Sequence, residues 1–100
     1  MNTVFTTQDL ADLYEDSRGP YARRLPSEVK AAFFRCMLQI EGARDERDLR
    51  TFKGRRFEKV PSECDGCYSM RLNDQWRIVF TIETVDGEKT VVIRDVKDYH

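Results

Sequence analysis

The stretch Trp76-Arg77-Ile78-Val79-Phe80-Thr81-Ile82-Glu83-Thr84-Val85-Asp86-Gly87-Glu88-Lys89-Thr90-Val91-Val92-Ile93-Arg94-Asp95-Val96 decides the fold. Apolar and polar residues alternate with period two on both sides of Asp86-Gly87, a dipeptide suited to a two-residue hairpin turn. The turn predicts strands near 76–84 and 89–96 and pairs Phe80 with Ile93 and Ile82 with Val91. Opposed residues in an antiparallel ladder share a face, so these apolar pairs mark the core side. The same register puts Arg77 and Val79 on the other face with Arg94 and, if the strand runs on unbroken, with Asp98 and His100.

Working outward, Tyr68, Met70 and Leu72 share the core face with Trp76, Ile78 and Phe80 only if the loop between them has an odd length. A three-residue loop, Asn73-Asp74-Gln75, meets that condition and sets Arg71 opposite Arg77. Two further strands are expected near 57–60 and 67–72. A bulge in either ladder would break the face assignment.

Before residue 57 the period is helical. Thr7 is suited to cap a short acidic helix through Leu10, Leu13 and Tyr14, ended by Gly19-Pro20. Pro26-Ser27-Glu28 opens a second helix with Val29, Phe33, Cys36, Met37 and Ile40 on one stripe, and Gly42 stops it. Lys30, Arg35, Gln39 and Glu41 face outward, Cys36 is core packing, and a helical turn follows around Asp45–Leu49. The class is therefore α+β, with two N-terminal helices packed on a small, mainly antiparallel curved sheet.

At 100 residues the chain suits a single domain, 1–100, with a modest core and a surface site. It begins without the basic and apolar segments of a secretory signal and has no membrane-length apolar run, so a cytoplasmic, membrane-free protein is expected. Three cysteines, Cys36, Cys64 and Cys67, without a secretion signal point to reduced thiols and not a disulfide framework.

Net charge is only -1, but it is unevenly placed. Residues 1–17 carry Asp9, Asp12, Glu15 and Asp16 with no lysine or arginine. Residues 50–59 carry Arg50, Lys53, Arg55, Arg56 and Lys59 against Glu58, which suits either phosphate contact or a solvated loop.

Two arginines, a carboxylate and an imidazole on one face suit anion binding with proton transfer. RNA cleavage through its own 2′-hydroxyl requires a base for the hydroxyl, an acid for the leaving oxygen and cations for the phosphorane. No metal or other cofactor is called for. The alternative is that Arg71 and Arg77 form ordinary cross-strand ion pairs with Asp74 and Asp98. His100 is the only histidine, and the terminal carboxylate beside it is expected to favour its protonated form. Cys64-Asp65-Gly66-Cys67 is read as a strand-connecting loop with Gly66 at positive φ, or as half of a zinc site with His100 as third ligand, which lacks a fourth.

The runs Arg56-Phe57-Glu58-Lys59-Val60, Gly66-Cys67-Tyr68-Ser69-Met70-Arg71-Leu72-Asn73-Asp74-Gln75-Trp76-Arg77-Ile78 and Asp98-Tyr99-His100 resemble the HigB branch of the RelE/ParE toxins. The Pro-opened helix and the segment from Ala43-Arg44-Asp45 through Asp48-Leu49-Arg50 are similar too, while residues 1–24 carry no recognisable motif. The resemblance implies a metal-independent endoribonuclease that cuts mRNA in the ribosomal A site. It also implies a HigA-like helix-turn-helix antitoxin, through which alone the pair contacts operator DNA. Asp98, Tyr99 and His100 are implied to be catalytic, with Arg77 stabilising the phosphate; Arg71, Arg50, Lys53, Arg55 and Arg56 are the expected contacts to RNA and ribosome.

Two features depart from that pattern. An unbroken strand turns Tyr99 toward the core, and Pro61 stands where many relatives carry a lysine. Lys59, two positions earlier, substitutes if the strand continues, but is aimed elsewhere if Pro61 ends it. Two other roles stay open: a ParE-like gyrase inhibitor, and an attenuated toxin acting mainly as co-repressor.

Overall fold

The computed structural model describes residues 1–99. In chain order the elements are β1 (Asn2–Phe5), α1 (Gln8–Asp16), α2 (Gly19–Arg24), α3 (Ser27–Gly42), α4 (Glu46–Arg50), a 3-10 turn (Lys53–Arg55), β2 (Glu58–Lys59), β3 (Tyr68–Arg71), β4 (Trp76–Val85) and β5 (Glu88–Asp98). The strands form one sheet in the order β1-β5-β4-β3-β2, antiparallel except where β1 runs parallel to β5.

The two turn-based registers hold. Phe80 pairs with Ile93 and Ile82 with Val91, while Tyr68, Met70 and Arg71 face Phe80, Ile78 and Arg77. The loop of Asn73, Asp74 and Gln75 is fixed by Asn73, whose side-chain Oδ1 accepts from the Gln75 and Trp76 amides at 2.9 and 2.8 Å. Asn73 thereby shapes its own turn in the manner of an Asx motif.

Beyond Phe80 the ladder slips by one residue: Val79 faces Asp95, Arg77 faces Lys97 and Trp76 faces Asp98. Arg94 is the extra residue of a bulge, and it reverses the alternation of everything after it. The expected grouping of Arg77 with Asp98 on one face is therefore corrected. Lys97 and Tyr99 take Arg77's side, and Asp98 takes the side of Trp76.

The core lies on the helix-covered face, where Leu10, Leu13, Val29, Phe33, Cys36, Met37 and Ile40 meet Met70, Ile78, Phe80, Val91, Ile93 and Val96. Thr7 caps α1, its hydroxyl accepting from the Leu10 amide at 3.3 Å. Gly19-Pro20 does not terminate α1; Ser17 does so in the left-handed conformation, and Gly19-Pro20 starts α2 instead. Proline fits the first turn of a helix because the amide it lacks has no intrahelical acceptor there. On α2, Tyr21 donates to Asp95 Oδ1 at 2.7 Å, tying the helix to the bulge.

Cys64 and Cys67 are joined as a disulfide, with their Cα atoms 5.1 Å apart. The expectation of reduced thiols is overturned by local geometry. A turn with Gly66 at φ +79° folds Cys67 back within bonding range of Cys64. Cys36 is free and buried.

Burial pushes the Cys36 thiol up to about 12. Burial first, then hydrogen bonds to Asp95 and Glu41, push the Tyr21 and Tyr14 hydroxyls to about 12. The folded chain thus holds protons that the unfolded chain releases lower on the scale. Stability that is complete below about pH 8, beneath the ordinary thiol range, is expected to fall as pH rises toward 12. Urea midpoints measured from pH 8 to 11.5 should decrease throughout that window.

Candidate active site

The face opposite the helices carries the site. Arg77, on β4, is the best-held cation on it. Its Nε donates to Ser69 Oγ at 2.8 Å and one Nη to the Arg56 carbonyl at 2.7 Å, and its side chain is only 11% exposed. Ser69 sits opposite Val79 on β3 and is fully buried, so its hydroxyl is a fixed acceptor. Arg56 presents its carbonyl because it closes the 3-10 turn in the left-handed region, at φ +49°. The Glu58 carboxylate lies 3.2 Å from the same Nη and is half exposed.

The bulge brings Tyr99 here. Its amide donates to the Gln75 carbonyl at 2.7 Å, and its ring centroid lies 5.8 Å from the Arg77 guanidinium carbon. The Tyr99 hydroxyl titrates above its ordinary value, mainly through burial and then through the Glu63 charge; Lys97 and Arg77 act the other way. It is therefore a protonated donor at neutral pH. Lys97 Nζ reaches both Glu63 oxygens at 2.9 and 2.8 Å and lies 6.0 Å from the Tyr99 ring.

A cleft of about 250 Å³ opens beside these groups, lined by Arg56, Arg71, Asn73, Asp74, Arg77 and Tyr99. Arg71 is ion-paired with Asp74 and donates to the Asn73 carbonyl at 3.1 Å. Three arginines thus line the cleft, and the guanidinium groups of Arg77 and Arg71 are tied down.

The other expected residues divide. Asp98 accepts from Gln75 Nε2 at 2.9 Å and lines a separate cleft with Arg24, Trp76, Asp95, Val96 and Lys97. Lys59 faces Tyr68 in the ladder, whereas Glu58 faces Ser69, so Lys59 projects to the face opposite Arg77. The strand ends at Lys59, so the continuation through Pro61 on which its substitution for the family lysine depends is not formed. Arg55 is a brace, donating to Gln39 Oε1 at 2.9 Å and to the Arg71 carbonyl at 3.2 Å. Arg50 lies over the Phe57 ring at 4.9 Å and Lys53 is exposed, both outside the cleft. His100 lies outside the described residues.

Ser69, Glu58, Glu63 and Lys97 were not expected at the site. Ser69 was legible as the polar residue of β3 on Arg77's face; the other three depend on the bulge or on the path of the 60–67 loop. Among the described residues no three His, Cys, Asp or Glu side chains form a metal-binding group.

Comparison with known proteins agrees with this architecture. Residues 3–100 match the family described as the RelE-like toxin of the type II toxin-antitoxin system HigB. Toxin HigB-1 of Vibrio cholerae serotype O1 (strain ATCC 39315 / El Tor Inaba N16961) is 36% identical over 87 residues, 87% of each chain. Among solved structures, the YoeB/ParE toxin from Agrobacterium tumefaciens superposes with TM-score 0.59 at 14% identity, all of each chain being covered. The YoeB-YefM complex from Staphylococcus aureus gives 0.59 at 23% identity, covering 100% of this chain and 97% of that one. At these identities the two structures speak for the fold, whereas the family match spans nearly every residue that builds the site. The chain belongs to the family of RelE-like HigB toxins of type II toxin-antitoxin systems.

Proposed function

We propose that this toxin, with residues 1–100 working as one domain, is a ribosome-dependent endoribonuclease that cuts mRNA and is neutralised by a HigA-like helix-turn-helix antitoxin. The observation that carries the reading is Arg77, a guanidinium fixed from two sides beside Tyr99 at the mouth of a cationic cleft. Attack of a 2′-hydroxyl on the neighbouring phosphate places extra charge on the phosphorane oxygens, and a cation that need not reorganise stabilises that charge most. Arg77 is such a cation, and Arg56 and Arg71 extend the field toward the flanking phosphates.

Tyr99 donates a hydrogen bond to a phosphate oxygen or to the leaving 5′-oxygen. His100 acts as acid or base, the role the family motif implies, and Asp98, held by Gln75 on the opposite face, anchors the strand end that carries Tyr99. Cationic side chains supply the charge compensation, so the scheme calls for no metal.

Glu58 competes with the incoming phosphate for Arg77. As the pair is half exposed, its removal is worth under about 1 kcal/mol. Glu58→Gln is expected to tighten binding of a non-cleavable RNA oligonucleotide by about two- to fivefold, read by fluorescence anisotropy.

The deciding experiment induces the wild-type chain without antitoxin and maps mRNA 5′ ends in translating cells, alongside a folded His100→Ala variant. Ribosome-dependent cuts by wild type alone support the reading. Intact mRNA overturns it, and a DNA supercoiling assay then tests the gyrase alternative.

A further inference from the structure

The Cys64–Cys67 disulfide closes a turn that packs beside the site. Val60 and Cys67 pack on Val79, on the same face as Arg77, with Cys64 against them. The Val60 amide donates to the Cys67 carbonyl at 2.9 Å, and the Glu63 amide to the Val60 carbonyl at 3.0 Å. Glu63, the neighbour of Cys64, spends both carboxylate oxygens on Lys97, and its side chain is 20% exposed. Lys97 flanks the Tyr99 ring, and the ring lies against Arg77. A short chain of contacts therefore runs from the two sulfurs through Glu63 to the site.

The sulfurs are unequal in access. Cys64 is partly exposed, while Cys67 is 2% exposed. A crosslink spanning three positions removes little freedom from an unfolded chain, so a purely stabilising role has a weak basis.

We propose that Cys64 and Cys67 form a reversible redox modification site, reduced by a dithiol, whose state sets the position of Glu63 and through it of Lys97 and Tyr99. A thiolate of the dithiol attacks Cys64 Sγ, forms a mixed disulfide and expels Cys67 as a thiolate, which takes up a proton. The second thiol of the reductant then attacks its own sulfur in the mixed disulfide and releases Cys64 as a thiol. Two electrons and two protons pass to the cysteine pair, and the reductant leaves as a disulfide. The crosslinked form holds Glu63 on Lys97; the dithiol form frees the loop and loosens the strand end that carries Tyr99. This regulatory consequence rests on the endoribonuclease reading, while the structural coupling does not.

The test equilibrates the full chain in buffers of oxidised and reduced dithiothreitol and quantifies the pair by differential alkylation and mass spectrometry. Hydrogen exchange is followed at residues 60–67 and 97–99. A Cys64→Ser/Cys67→Ser variant mimics the open form, and Glu63→Gln weakens the Lys97 link with the disulfide intact. The pair should titrate as one two-electron couple. Reduction should speed exchange at 97–99 by on the order of tenfold, the double-serine variant should match it in every buffer, and Glu63→Gln should reproduce it without reduction. Unchanged exchange at 97–99, or failure of the disulfide to form in oxidised buffer, overturns the proposal. In a translating extract the reduced form should cut about three- to tenfold more slowly, because small misplacements of positioned groups cost rate. Equal cutting in both states overturns the regulatory role; absence of cutting in either overturns the endoribonuclease reading alone, with exchange still deciding the coupling.

Discussion

Replacing Arg77 with alanine is expected to lower mRNA cleavage by about 10²- to 10³-fold, the usual effect of removing one positioned donor from a site where charge develops. The effect should lie in the cleavage step more than in RNA binding, because Arg56 and Arg71 still line the cleft and retain the long-range attraction for phosphates. Truncation also leaves the buried Ser69 hydroxyl and the Arg56 carbonyl without their donor. That costs about 1–3 kcal/mol of stability, so the variant must be shown to be folded by its melting curve before its activity is read. Arg77→Lys separates charge from geometry. An ammonium keeps the positive charge but lacks the planar fork that bonds Ser69 and Arg56 together while facing Tyr99. Cleavage by the lysine variant that stays near wild type would show that charge alone suffices and that the two-sided clamp is incidental; a loss close to that of alanine is the expected result, measured as single-turnover cleavage on programmed ribosomes.

That prediction depends on where β5 places its last residues, and here the sequence was legible only to a point. The Asp86-Gly87 turn and the Asn73-Asp74-Gln75 loop fixed two registers, because a turn of known length leaves the apolar alternation one solution. The bulge was missed, although its mark is visible: Arg94 and Asp95 are consecutive polar residues between inward-facing Ile93 and Val96. In a regular strand one of the two would point into the core. The structure resolves that conflict with an extra residue, and Tyr99 then falls on the face that carries Arg77.

β1 escaped notice because it is a short edge strand paired in parallel with a distant partner, and no local turn announces such a pairing. α2 was hidden by its Pro20, a residue that stops a helix from within but starts one at its first turn. The disulfide was missed because compartment statistics were weighed ahead of a tight turn that closes on itself around Gly66.

The bulge makes a second large effect predictable, from an insertion of one alanine between Val96 and Lys97. Val91, Ile93 and Val96 stay in the core, since the insertion lies beyond them. The alanine occupies the position opposite Arg77, Lys97 moves opposite Trp76, and Asp98 takes the place of Tyr99 beside Gln75. Tyr99 is carried to the other face and Lys97 is drawn away from Glu63. Cleavage should fall by at least about 100-fold, as for other losses of preorganised groups. Stability should change far less, because the exposed Lys97–Glu63 pair contributes under about 1 kcal/mol, equivalent to a fall of about 4–8 °C in Tm at most. Deleting Arg94 is the opposite case. It removes the extra residue of the bulge yet preserves the pairing of Val96 with Ile78 and of Lys97 with Arg77, so Tyr99 keeps its face and cleavage should persist. An insertion variant that cuts normally, or an Arg94 deletion that is folded and inactive, would show that strand parity is not what delivers Tyr99 to Arg77.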